Sequence, residues 1–74
     1  MDVESFWKRI KLRLKAQKIS QKKFSEYINV PYGTFNNWLY YRRSIDVVTA
    51  YHIATALGVT VEYLVTGSEN KTYS

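Results

Sequence analysis

The chain has 74 residues, with 11 Lys and Arg against 6 Asp and Glu, a net charge of +5 at pH 7; this length allows one small domain and no second one. An apolar share of 46% is too high for a disordered segment, and with no Cys and one His, disulfides and a thiolate zinc centre are excluded as supports. No apolar run approaches the ~20 residues of a membrane span, and the acidic start Asp2-Val3-Glu4 lacks a signal-peptide layout, so the sequence reads as a soluble, cytoplasmic domain.

Helical periodicity dominates. Val3, Trp7, Ile10 and Leu14, with Phe6 beside them, form a stripe that predicts a first helix over residues 3–17. Leu12 falls off the stripe. Lys8, Arg9, Lys11, Arg13, Lys15, Lys18, Lys22 and Lys23 crowd into residues 8–23 without an acid among them. Such clustering points to a polyanion, either nucleic acid or an acidic membrane surface. Ser20 is placed to cap a second helix, and Ile19 with Phe24 occupies the two positions of a hydrophobic staple. Phe24, Tyr27 and Ile28 give that helix an apolar face. Asn29 suits a left-handed residue at its end. Pro31 fits the first turn of a third helix, which runs through Thr34, Phe35, Trp38 and Leu39.

Asp46 reads as the cap of a fourth helix, followed by Ala50, Ile53, Ala54 and Leu57 at i, i+3, i+4 and i+7. Gly58 closes it. Thr60 caps a short fifth helix, Val59 and Leu64 repeat the staple pattern, and Gly67 ends it. Residues 1–67 form the expected domain, and 68–74 read as a polar, frayed tail. Five short helices with short connections and no strand signal predict a compact all-α fold.

Residues 20–41 carry the functional signal. Only Asn29 and Val30 separate the second helix from Pro31, which forces the sharp turn of a helix-turn-helix. Phe35, Trp38 and Leu39 point inward, which leaves Tyr32, Gly33, Asn36, Asn37 and Tyr40 on the outer face. That face lacks charge, yet its groups suit a DNA groove. Asn pairs with adenine N6 and N7, and Tyr reaches a thymine methyl or a phosphate. Gly33 costs about 1 kcal/mol of helix propensity relative to Ala and lets the backbone approach a partner closely. Arg42 and Arg43 are placed to hold flanking phosphates. Gln21 opens the second helix, where free N–H groups favour a phosphate, with Lys22 and Lys23 beside it.

Residues 9–67 resemble the DNA-binding domains of the phage lambda repressor/Cro family, the XRE-type regulators, and look most like the N-terminal domain of phage CI repressors. The stretches that carry the likeness are Ile19-Ser20-Gln21-Lys22-Lys23-Phe24-Ser25-Glu26, Val30-Pro31-Tyr32-Gly33-Thr34-Phe35-Asn36-Asn37-Trp38, and the segment from Ala54 to Gly67. The resemblance implies a five-helix fold and operator binding by a homodimer. It implies base reading by Tyr32, Gly33, Asn36 and Asn37. It implies phosphate contacts by Gln21, Lys22 and Thr34, and by the segment Tyr40 to Ser44 with Arg42 and Arg43. Three departures stand out. Pro31 replaces the family's usual Ser or Thr. The segment 40–45 lacks the usual Gly and Pro. Arg13 stands where the family often has an apolar residue, with Leu14 taking that role.

Competing readings are weaker. His52 has no Cys, Asp or Glu partner pattern, and no Gly-rich phosphate loop occurs, so neither an enzyme nor a cofactor is expected. The basic first helix could lie on an anionic membrane, but its stripe is needed for the core. A protein-interaction module built on the Tyr-rich segment 32–41, antitoxin-like or anti-repressor-binding, is the main alternative. RNA stacking on the same tyrosines is a third.

Overall fold

The computed structural model describes residues 3–68. Five helices follow one another: α1 (Val3–Ala16), α2 (Gln21–Tyr27), α3 (Tyr32–Tyr41), α4 (Val47–Leu57) and α5 (Val61–Thr66). No strand occurs among the described residues. The expected tail lies, apart from Ser68, outside them.

Local chemistry sets the boundaries. Ser20, Asp46 and Thr60 each accept a hydrogen bond from the backbone N–H three residues on, at Lys23, Thr49 and Tyr63. Each satisfies a donor that the first turn cannot pair internally. Asn29 is left-handed, with φ of 65°. Gly58 and Gly67 end α4 and α5 in the same conformation. Gly67 is doubly constrained: with φ of 81°, a Cβ there would also sit 2.7 Å from the Arg9 guanidinium.

Two expectations need correction. Pro31 precedes α3 as its N-cap residue rather than lying in its first turn, and it supplies no side-chain cap. Its extended ψ of 139° keeps it outside the helix. Tyr27 is not part of the core-facing side of α2; it is 74% exposed. Ser25 takes the buried place instead, because its hydroxyl donates to the Lys22 carbonyl at 2.7 Å and so carries no unpaired polar group inside.

The core gathers Phe6, Trp7, Ile10 and Leu14 of α1 with Phe24, Phe35, Leu39, Ile53, Leu57 and Leu64. Leu14 is buried, whereas Arg13 is half-buried over the Tyr63 ring at 5.1 Å, which fixes the phase of α1. Leu12 remains 56% exposed. Trp7 meets Phe6, Phe35 and Trp38 with centroid separations of 5.1–6.2 Å. Turning this face toward a membrane would forfeit about 1.5–3 kcal/mol for each large side chain. Three such losses rival the whole stability of a small domain, about 5 kcal/mol at the low end.

The basic residues of α1 divide in two. Lys8, Lys11 and Lys15 are exposed. Arg9 is instead a structural cap, because its Nη1 donates to the carbonyls of Leu64 and Val65 at 3.0 and 3.1 Å. Gln17 does the same for Leu57 at 2.9 Å. α1 and the residue that follows it thus satisfy carbonyls at the C-terminal ends of α5 and α4 that their own helices leave unpaired.

Candidate nucleic-acid interface

α2 and α3 are joined through Ile28 to Pro31. The Val30 N–H donates to the Ser25 carbonyl at 2.9 Å and the Asn29 N–H to the Glu26 carbonyl at 3.1 Å, which locks the turn. Phe24 and Phe35 pack at 5.6 Å and hold the two helices together from inside. With Phe35 and Leu39 buried and Trp38 half-buried, the opposite side of α3 must face outward. Tyr32, Gly33, Thr34, Asn36, Asn37 and Tyr40 are all exposed.

One surface groove brings several of the expected residues together. Gln21 from the start of α2 lines it with Asn36 and Tyr40 of α3, Arg42 beyond α3, and Lys11 of α1. Leu39 forms its floor. Tyr32 lies apart, in a second groove at the helix-helix turn with Asn29 and Pro31. Lys22, Asn37, Arg43 and Ser44 are exposed but line neither groove. Beyond its chain neighbours and the backbone of its own helix, a Cβ added at Gly33 would meet nothing within 4 Å. Internal packing therefore does not require glycine there.

The segment after α3 has a defined shape despite lacking Gly and Pro. Arg42 itself is left-handed, with φ of 52° and ψ of 53°. That conformation costs a non-glycine residue about 1–2 kcal/mol. Three bonds offset the cost. The N–H groups of Arg42 and Arg43 both donate to the Trp38 carbonyl, and the Trp7 indole Nε1 donates to the Arg43 carbonyl at 2.6 Å. The tryptophan is 1% exposed, so α1 holds this segment from within the core.

The two arginines are lightly held at their charged ends. Arg42 Nε lies 3.8 Å from Glu4 Oε2, with both side chains more than half exposed. Such a surface pair contributes about 0–1 kcal/mol and is screened by salt. Arg43 sits over the Tyr41 ring at 5.6 Å, and Tyr41 meets Tyr40 edge to face at 4.9 Å. A phosphate could displace either contact at little cost.

Sequence reasoning missed Lys11 and Trp7 as members of this region. Lys11 was visible only as one base among eight. Its place beside Gln21 and Asn36 depends on how α1 crosses the helix pair. Trp7 reads as a core residue, which it is, and its donor role depends on a carbonyl 36 positions away.

Among the described residues, no group of three His, Cys, Asp or Glu side chains could hold a metal ion, and no helix is long and apolar enough to cross a membrane.

No curated protein and no solved structure matches the chain. A family model described as helix-turn-helix matches residues 10–64, most of the chain, including the whole of α2, α3 and α4 and parts of α1 and α5. The protein belongs to this helix-turn-helix family of the XRE type, similar to lambda repressor and Cro, whose members are DNA-binding transcription regulators.

Proposed function

We propose that the domain is a cytoplasmic repressor that reads one half-site of a specific duplex operator with α3 and binds the whole operator as a homodimer. One observation carries this reading. The outward side of α3 bears no charge, Lys11 and Arg42 line the groove beside it, and Arg43 follows Arg42 just beyond its end. A solvent face normally carries charge. A face that enters a groove needs donors and acceptors matched to base edges, with the cations set at its margins where the phosphates run.

In this reading Asn36 and Asn37 pair with base edges, and Tyr32 touches a thymine methyl. Gly33 gives the backbone room to approach. Gln21, Lys22, Thr34, Tyr40, Arg42, Arg43 and Ser44 hold phosphates and fix register. Repression rests on the resemblance to lambda-type regulators.

The test is selection from a random duplex library at about physiological ionic strength, where non-specific attraction is largely screened. An enriched palindrome is expected. Recovery of no preferred sequence by the folded protein would overturn the reading.

A second reading keeps one observation in its favour. Tyr40 and Tyr41 are 71% and 60% exposed and pack on each other, an arrangement suited to a protein partner of the antitoxin or anti-repressor kind. Salt separates the two. Groove binding weakens steeply as salt rises, and an aromatic protein contact does not.

A further inference from the structure

The groove beside α3 does not end at Arg42. A second groove continues it along α1, and Lys11, Leu39 and Arg42 line both. The continuation adds Glu4 and Lys8, one turn apart on the same side of α1. Glu4 is thus an acid set among three basic side chains, Lys8, Lys11 and Arg42. No other Asp or Glu among the described residues lines either groove. A carboxylate in the first turn of α1 favours the helix dipole wherever it points around the axis. This one points at Arg42.

Arg42 has a partner on two sides. Its Nε lies 3.8 Å from Glu4 Oε2, and its Nη1 donates to the Tyr40 carbonyl at 3.3 Å. Its backbone cannot follow a ligand, because the N–H groups of Arg42 and Arg43 are tied to the Trp38 carbonyl. Only the side chain can swing, and it must leave Glu4 before its full charge meets a phosphate. We propose that Glu4 is a brake on duplex binding, which competes with the phosphate for the Arg42 guanidinium. The proposal rests on the reading of this groove as a duplex-binding surface.

The strength of the brake follows from the pair. A binding-competent state that is only partly populated weakens the apparent affinity by its fraction. An exposed ion pair favours its closed form by up to about fivefold, so Glu4 weakens binding a few-fold. Salt screens the pair and so releases the brake. Every duplex carries phosphates, so selected and random sequences are affected alike.

The test titrates the full chain against a random-sequence duplex at about 0.05 M and about 0.2 M salt. Glu4→Gln should bind about two- to fivefold more tightly than the wild type at the lower salt, with a smaller gain at the higher. Glu62→Gln makes the same change of net charge on an exposed residue of α5 that lines neither groove, and it should gain less. In an Arg42→Ala background, Glu4→Gln should gain no more than Glu62→Gln does, since the group it would release is gone. Both acids are exposed, so the thermal melts should stay close to the wild type. A Glu4→Gln gain no larger than that of Glu62→Gln overturns the proposal, as does an equal gain with and without Arg42. A wild type that binds no duplex at either salt sinks the duplex-binding surface and the brake together. Failure to enrich an operator leaves this result untouched, because the duplex here is random.

Discussion

Asn37 and Arg42 are exposed residues near one another in sequence, yet the proposed roles give them opposite signatures. Asn37→Ala should cost about 1–3 kcal/mol on the selected site and relax preference at one base pair, because a bidentate base contact is lost. Equal weakening on selected and random duplex would remove Asn37 from base reading. Arg42→Ala should weaken binding to every duplex alike and reduce the slope of log affinity against log salt by about one. An unchanged slope would mean that the Arg42 cation meets no phosphate. Legibility differs at this scale. The outward placement of Tyr32, Asn36 and Asn37 followed from helical spacing around Phe35 and Leu39. Tyr27 defeated the same logic, because an aromatic residue three positions from a core Phe looks apolar by type. Ser25 looks polar by type and is buried. Only the Lys22 carbonyl, one turn back, explains why.

Helix ends are the most legible elements, since a cap is a contact between residues three apart. Ser20, Asp46, Thr60, Gly58 and Gly67 all stand where local chemistry places them. Asp46 also makes an end sensitive to acid. Its carboxylate accepts from the Thr49 hydroxyl first and the Thr49 N–H as well, which holds its pKa below 3.8. A carboxyl with a depressed folded pKa stabilises the fold above its unfolded value and loses that contribution as pH falls through the folded one. The melting temperature should therefore drop below about pH 4, and Asp46→Asn should make that drop shallower. An identical acid limb in the variant would assign the drop to other carboxyls. The end of α3 was not legible in this way. Arg42 takes the left-handed place that glycine usually holds, and its support comes from Trp38 and from Trp7 in another helix.

At the scale of the molecule, the all-α architecture was legible because periodicity repeats five times. The contacts that tie the helices together were not. Arg9 to Leu64 spans 55 positions and Trp7 to Arg43 spans 36, and no local pattern encodes either. The Trp7 bond ties the core to the proposed phosphate-binding segment. Trp7→Phe keeps a ring in the aromatic cluster and deletes the indole donor. Measured well below its melting temperature, the variant should bind all duplexes more weakly, with a smaller salt slope, because Arg42 and Arg43 are held less firmly. A variant with altered melting and unaltered salt slope would confine Trp7 to packing.

The fastening of α1 to α5 also orders events in time. A ribosome delivers α1 first and α5 last, so Phe6, Trp7 and Ile10 wait for Leu64, and Arg9 waits for the carbonyls it will hold. During that interval the emerging chain carries an uncovered aromatic stripe beside a row of lysines. A chain halted at Gly58 should stay open to protease, while one carried through Gly67 should resist it; equal resistance would show that four helices close the core without the fifth.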